Sequence, residues 1–149
     1  MTLPEGYTLV EQVATLDDFL RLRVVSGLSP RTRESARRGL PNTLFGVSVL
    51  HADRTVGMGR VIGDGGCSFV IVDIAIEPAH QRRGLGKAIM AALDRWLAAN
   101  APEGAHVSLI ADGDARHLYA QFGFADVAPA SIGMHYTVSR GPAAGQPRS

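Results

Sequence analysis

Between Asp73 and Ala88 an apolar run through Ile74, Ala75 and Ile76 meets Glu77 and Pro78. It then gives way to Gln81, Arg82, Arg83, Gly84, Leu85, Gly86, Lys87 and Ala88. The first part reads as a strand and the second as a glycine-containing loop that opens a helix. The first amides of a helix have no intrahelical partner, and the helix dipole adds roughly 0.3–1 kcal/mol in favour of an anion placed there. Gly84 and Gly86 let a ligand approach the backbone closely. Arg82, Arg83 and Lys87 gather positive charge around the same turn. Together these residues suit a phosphate cradle. A Walker A loop is excluded, because Lys87 is followed by Ala88 and Gln81 stands where the first glycine is required. A Rossmann turn fits poorly, since the third glycine position is Ile89 and the preceding strand closes an antiparallel meander.

Asp73 is the one charge inside that apolar strand, and a buried charge is costly unless it is paired or functional. One reading makes it a site residue. An amine of pKa about 10.4 costs roughly 4–5 kcal/mol to deprotonate at neutral pH, and a carboxylate could bind the ammonium or relay its proton. The other reading makes Asp73 structural, bonded to loop amides or to an arginine such as Arg60. Glu77 is expected at the surface. Cys67 is the only cysteine, which rules out an intrachain disulfide and a cysteine-based metal cluster. It has no histidine in a recognisable relation to it and is not expected to act as a nucleophile. His51, His80, His106, His117 and His135 show no metal-ligand spacing, and His117 is expected to be solvated.

The elements that must position these groups follow from period and punctuation. Tyr7 to Val13 alternates weakly, as a first strand would. Thr15 caps a helix with acidic Asp17 and Asp18 in its first turn and Phe19, Leu20, Leu22 and Val24 as its apolar residues. Ser29-Pro30 is a second helix start, with a stop near Gly39. Thr43 to Leu50, Thr55 to Ile62 and Phe69 to Ile76 are strand-like runs joined by short turns, hence an antiparallel meander. In the last of them Val70, Val72, Ile74 and Ile76 are expected on one face and Phe69, Ile71 and Ala75 on the other, which suits a central strand. Leu85, Ala88, Ile89, Ala92, Leu93 and Trp96 recur at helical spacing up to about Asn100. His106 to Ala111 is a further strand, parallel to its predecessor across the crossover. A short helix from Asp114 to Gln121 stops at Gly123. Phe124 to Val127 and Ile132 to Val138 are expected as closing strands. The fold class is α/β (α+β), a mixed and mostly antiparallel sheet with helices on its faces.

Gln81-Arg82-Arg83-Gly84-Leu85-Gly86 resembles the Q/R-x-x-G-x-G/A acyl-CoA motif of the GCN5-related N-acetyltransferase (GNAT) superfamily. Residues 112–124, with Ala115, Leu118, Tyr119, Gly123 and Phe124 at the fixed positions, resemble that family's downstream N-x-x-A-x-x-L-Y-x-x-x-G-F block. The likeness covers roughly residues 7–138, and its one departure is Asp112 where the family usually has Asn. It implies acetyl-CoA in the gap of a splayed sheet. The backbone around Ile74, Ala75 and Ile76 would meet the pantetheine arm, and the amides from Arg82 to Ala88 the pyrophosphate, with Gln81 opening the motif. Asp112 and Ala115 fall at further cofactor positions. The resemblance also makes Tyr119 the acid for the departing thiolate. A phenol of pKa about 10 can protonate a thiolate whose conjugate acid has pKa about 8.5. A core aromatic is the other reading of that tyrosine.

The chain has 149 residues, enough for one domain with its own core. A domain over residues 1–138 and a flexible tail over 139–149 are expected. Basic and acidic residues number 15 and 14. That balance argues against a nucleic-acid binder. Arginines 21, 23, 31, 33, 37 and 38 crowd the first two helices, where a solvated face competes with a role in choosing an acidic acceptor. The resemblance predicts acetyl transfer to a primary amine of a small molecule or protein, with acetyl-CoA as cosubstrate and no metal. The competing readings are a non-catalytic acyl-CoA sensor and a nucleotide-binding protein of another kind. No leader and no membrane span are read in the sequence, so the cytoplasm is the expected compartment. A homodimer through Ile132 to Val138 is suggested by analogy alone.

Overall fold

The computed structural model describes residues 3–140. Five strands form one sheet in the order β1 (Tyr7–Val10), β2 (Phe45–His51), β3 (Arg54–Gly63), β4 (Ser68–Ile76) and β5 (His106–Ser108). Pairing is antiparallel from β1 to β4 and parallel between β4 and β5. The parallel pair is joined by α3 (Leu85–Asn100), as a crossover requires. Two shorter helices, α1 (Leu16–Val25) and α2 (Arg33–Gly39), cover the other face, and α4 (Arg116–Ala120) follows β5. The expected mixed, mostly antiparallel sheet with flanking helices is therefore what the chain forms.

The two faces have separate apolar clusters. On one, Leu85, Ile89, Met90 and Leu93 of α3 pack on Val47, Val49, Val61, Phe69 and Ile71. On the other, Phe19 and Leu22 of α1 and Ala36 of α2 pack with Met58 and Ala75. Helix α3 lies close because β3 is bare beneath it. A Cβ at Gly59 would stand 2.6 Å from Ile89 Cγ2 and 3.0 Å from Ile74 Cδ1. Contacts that short are not tolerated without displacement.

Strand β4 departs from plain alternation. Opposite β3, Met58 pairs with Ala75 and Arg60 with Val72, so two steps on β3 answer three on β4. The extra residue is Asp73, at φ 61°. Such a bulge reverses the parity of the strand. Phe69 and Ile71 face α3 before it, and Ile74 and Ile76 pack on that cluster after it. The expected single face of Val70, Val72, Ile74 and Ile76 is thus corrected. Unbroken alternation would aim Asp73 at the apolar side of α3, whereas the bulge turns it toward α1.

Helix α1 starts as expected, with Thr15 accepting a hydrogen bond from the Asp18 amide. Its buried stripe is Phe19, Leu22 and Arg23, while Val24 is exposed. Helix α2 does not begin at Ser29-Pro30. Thr32 is its cap, accepting from the Ser35 amide, and the carbonyl and hydroxyl of Ser29 are engaged by Arg23 instead.

Glu77, expected at the surface, is mostly buried at the end of β4. Arg21 of α1 and Arg54 of β3 both donate to its Oε1, the latter at 2.8 Å. Burial alone would push this carboxyl up. Hydrogen bonds and charge from the two arginines outweigh that, and it titrates below its ordinary range. Stability from a lowered carboxyl pKa is complete above the unfolded value and is lost as pH falls through the folded one. Glu77→Gln should therefore be less stable than the native chain at pH 7. The gap should close progressively below about pH 5, as Glu77 protonates in the native chain. Urea unfolding at several pH values measures this, and a gap independent of pH would contradict it.

Two late expectations are corrected. Phe124 to Val127 and Ile132 to Val138 form no strand among the described residues, and β5 ends at Ser108 rather than Ala111. The short pairing of Ser68–Val70 with His106–Ser108 leaves the later strands little ladder to extend. Of the expected tail, residues 141–149 lie outside the described residues. No described helix is long and apolar enough to cross a membrane.

Candidate active site

Strands β4 and β5 are in register only from Ser68 to Val70. Beyond that point the β5 side of β4 has no strand against it, and the sheet opens. At the far end of the opening, Gln81 Nε2 donates to the Ile76 carbonyl at 3.0 Å, tying the loop to the strand. Arg82 (φ 62°) and Gly84 (φ 80°) both adopt left-handed backbone, and Gly84 is the N-cap of α3. A Cβ on Gly84 would meet nothing within 4 Å, so the space over the turn is open. Arg82, Arg83 and Lys87 are exposed around it, while the Leu85 and Ala88 side chains are buried under α3. The Ala88 amide is already bonded to the Gly84 carbonyl at 3.1 Å. The free amides of the first turn are therefore those of Leu85, Gly86 and Lys87, and the expected set from Arg82 to Ala88 loses Ala88.

On the α1–α2 side of the opening lies a cavity of about 600 Å³. Asp73, Ile74, Asp112, Ala115 and Tyr119 line it, together with Phe19, Arg23, Arg31 and Arg60. The structure thus brings together the two residues singled out for chemistry, Asp73 and Tyr119, in one space. Tyr119 is half-buried on α4, edge-on to Phe124 with ring centroids 6.5 Å apart. Burial first, and then the negative charge of Asp112, push its phenol above the usual range. Helix α4 is seated over the start of α3, where a Cβ on Gly86 would lie 3.5 Å from Leu118.

Asp73 is held on both oxygens. Arg23 Nη1 donates to Oδ1 at 2.5 Å and Arg60 Nε to Oδ2 at 2.6 Å. Arg60 also donates to Thr43 Oγ1 at 2.9 Å, and Arg23 to the carbonyl of Ser29 at 2.7 Å. Burial draws the Arg23 pKa down, against the opposing charge of Asp73. The pairing with Arg60 was one of the sequence readings. The pairing with Arg23 was missed, although a signal existed: Arg23 follows Phe19 by four residues, on the buried stripe of α1. Of the other arginines in this region, Arg31, Arg33, Arg37 and Arg38 are exposed as a solvated face would be, whereas Arg21 is part-buried against Glu77. Cys67 and His117 are exposed too. No group of three or more potential metal ligands occurs among the described residues.

A family model described as an acetyltransferase (GNAT) domain matches residues 44–126, the meander, the loop, α3 and Tyr119 included. The chain belongs to the GNAT acetyltransferase family. Its GNAT fold is close to the crystal structure of a protein of unknown function from meticillin-resistant Staphylococcus aureus, described as a probable acetyltransferase. The two share 43% identity and a TM-score of 0.85, over 89% of this chain and 99% of that one. A GNAT family acetyltransferase from Streptococcus pneumoniae matches at 25% identity and a TM-score of 0.69, over 90% of this chain and 98% of that one. Among curated sequences, an uncharacterised N-acetyltransferase of Prochlorococcus marinus is 36% identical over 100 residues, 62% of this chain. Serotonin N-acetyltransferase 2 of Oryza sativa, a chloroplastic protein, is 32% identical over 119 residues, 76% of this chain. The matches span 56% and 58% of those two relatives' lengths.

Proposed function

We propose that this GNAT protein transfers an acetyl group from acetyl-CoA to a primary amine by direct attack on the thioester. One observation carries the reading. The segment Ile74–Ile76 runs from the cavity that Asp73 and Tyr119 line to the loop that Gln81 ties down, along an edge of β4 with no strand beside it. A long, extended cofactor with a thioester at one end and phosphates at the other suits that path. The open space over Gly84 and the free amides of Leu85, Gly86 and Lys87 accommodate phosphate oxygens, with Arg82 and Arg83 adding charge. When bound, acetyl-CoA supplies an activated acyl group.

The chain's own residues would do the rest. The β4 backbone orients an extended arm by hydrogen bonds, as an added strand would. Tyr119 holds a proton where a thiolate needs one, and its raised pKa keeps that proton in place at neutral pH. Asp73 fixes two guanidiniums, so we assign it a positioning role rather than that of a free base. Amine deprotonation is then left to water or to Asp112 beside Tyr119. The serotonin relative named above acts on an amine that is likewise primary.

The test has two arms. Acetyl-CoA at about 100 times its Kd should stabilise the chain by about 2.7 kcal/mol. Thiol release in its presence should depend on added amine. Stabilisation by ATP or NAD but not by coenzyme A would overturn the reading. Coenzyme A binding without transfer to any amine would favour the sensor instead.

A further inference from the structure

The α1–α2 wall of the cavity carries more positive charge than the chain itself neutralises. Three guanidiniums, those of Arg23, Arg31 and Arg60, line it with Asp73 as the one carboxylate among them. Arg23 is spent internally, its Nε, Nη1 and Nη2 donating to Ser29 and Asp73. The other two are not. Arg60 uses Nε and Nη1, and Arg31 uses Nη1 alone, on the carbonyl and hydroxyl of its neighbour Ser29 and the carbonyl of Pro30. Arg31 has no carboxylate partner among the described residues, unlike Arg33, Arg37 and Arg38, which pair with Asp17 or Glu34. The charges of Arg31 and Arg60 both disfavour the charged form of Arg23, so the three lie within electrostatic reach of one another. Guanidiniums with spare N–H groups around one space are matched by a compact anion with two or more acceptor oxygens. The remaining carboxylate of the cavity, Asp112, acts electrostatically on Tyr119 and is paired with none of the three guanidiniums.

We propose that the acceptor carries an anionic group, a carboxylate or phosphate, beside its amine, and that Arg31 and the free Nη2 of Arg60 bind it. This rests on the acetyltransferase reading and names its substrate class. The acceptor is then zwitterionic, with its anion at the α1–α2 wall and its ammonium toward Asp112 and Tyr119. Asp73 sets the count: by offsetting one charge of three and fixing two guanidiniums, it leaves a rigid site rather than a mutually repelling cluster.

The experiment compares matched pairs, phenylalanine with 2-phenylethylamine and phosphoethanolamine with ethanolamine. Binding to the protein saturated with coenzyme A is followed by calorimetry, and acetyl transfer by steady-state kinetics. The expected result is that the anionic member of at least one pair binds about tenfold or more tightly, and which pair responds separates carboxylate from phosphate. In Arg31→Gln the ratio within that pair should fall toward one. In Arg31→Lys, which keeps the charge without the fork, it should stay above one. Arg31 is exposed and unpaired with any carboxylate, so neither variant should shift Tm. The proposal is overturned by equal or tighter binding of the neutral members. It is also overturned by an Arg31→Gln effect on KM for acetyl-CoA with the acceptor ratio intact, which would assign Arg31 to the cofactor. Because the preference is read as a binding ratio, it stands or falls even where no acetyl transfer is seen, the result that would count against the enzymatic reading instead.

Discussion

Tyr119→Phe lowers kcat for acetyl transfer by about 10²-fold or more, the range removed with a positioned general acid, and leaves KM for acetyl-CoA nearly unchanged. The phenol hydroxyl is the only group this variant deletes. The ring stays to pack edge-on against Phe124, which holds α4 in place. Tm should therefore hold while turnover collapses. The pH dependence follows from the sign of the shift. With its pKa raised by burial and by Asp112, Tyr119 stays protonated through the mildly alkaline range, so it should impose no fall in kcat below about pH 10. Steady-state kinetics of both forms from pH 6 to about 10 check this. Undiminished kcat in the variant would return Tyr119 to the role of a packing aromatic.

Asp73→Ala should have the largest effect on stability. Its carboxylate is 7% exposed and faces Arg23, whose side chain is 6% exposed. Removing one partner of such a pair strands the other charge without water or counterion, a loss of about 3–5 kcal/mol. For a chain of this size that is roughly a 10 °C fall in Tm. Arg60 can still reach solvent, so the penalty centres on Arg23. Arg23→Met in the Asp73→Ala background should therefore recover part of the loss, because it removes the stranded charge, whereas Arg60→Met should recover less. Thermal melts of the four proteins measure this. Below the melting range, the surviving activity distinguishes positioning from base catalysis. A positioning Asp73 appears mainly as a raised acceptor KM. A proton-accepting one would appear as a loss of kcat that deepens as pH falls.

Much of this could be read in residue order. The turn that opens α3, with its exposed basic side chains, was legible because glycine, arginine and helix-start signals sit in one contiguous stretch, and their meaning is local. Tyr119 was legible through its fixed distances to Leu118, Gly123 and Phe124. The antiparallel order of β2, β3 and β4 followed from the short turns between them. The bulge at Asp73 was not legible, because an extra residue is defined by the partner strand and not by the strand that carries it. That one-residue offset decides which face the carboxylate sees, and so which arginines it meets. The burial of Arg23 could have been inferred from its place four residues after Phe19, but arginine on an apolar stripe is uncommon enough that solvent was the natural assignment. Residues 132–138 alternate apolar and polar, which is a necessary condition for a strand and not a sufficient one: a ladder needs a neighbour, and β5 contributes three residues.

The sheet divides the interior into two apolar clusters, and that division bears on how such a protein can change over time. Helix α3 and the turn before it rest on one cluster, and α1 and α2, which line the cavity beside Asp73, rest on the other. Substitutions that share no contacts add nearly independently. Drift in Phe19, Leu22 or Ala36 can thus reshape the cavity without disturbing the floor beneath the glycine turn, while a change at Ile89 or Gly59 acts on that turn first. On the proposed acetyl-transfer reading, a lineage built on this plan can exchange acceptors one small step at a time and keep the same acyl donor throughout.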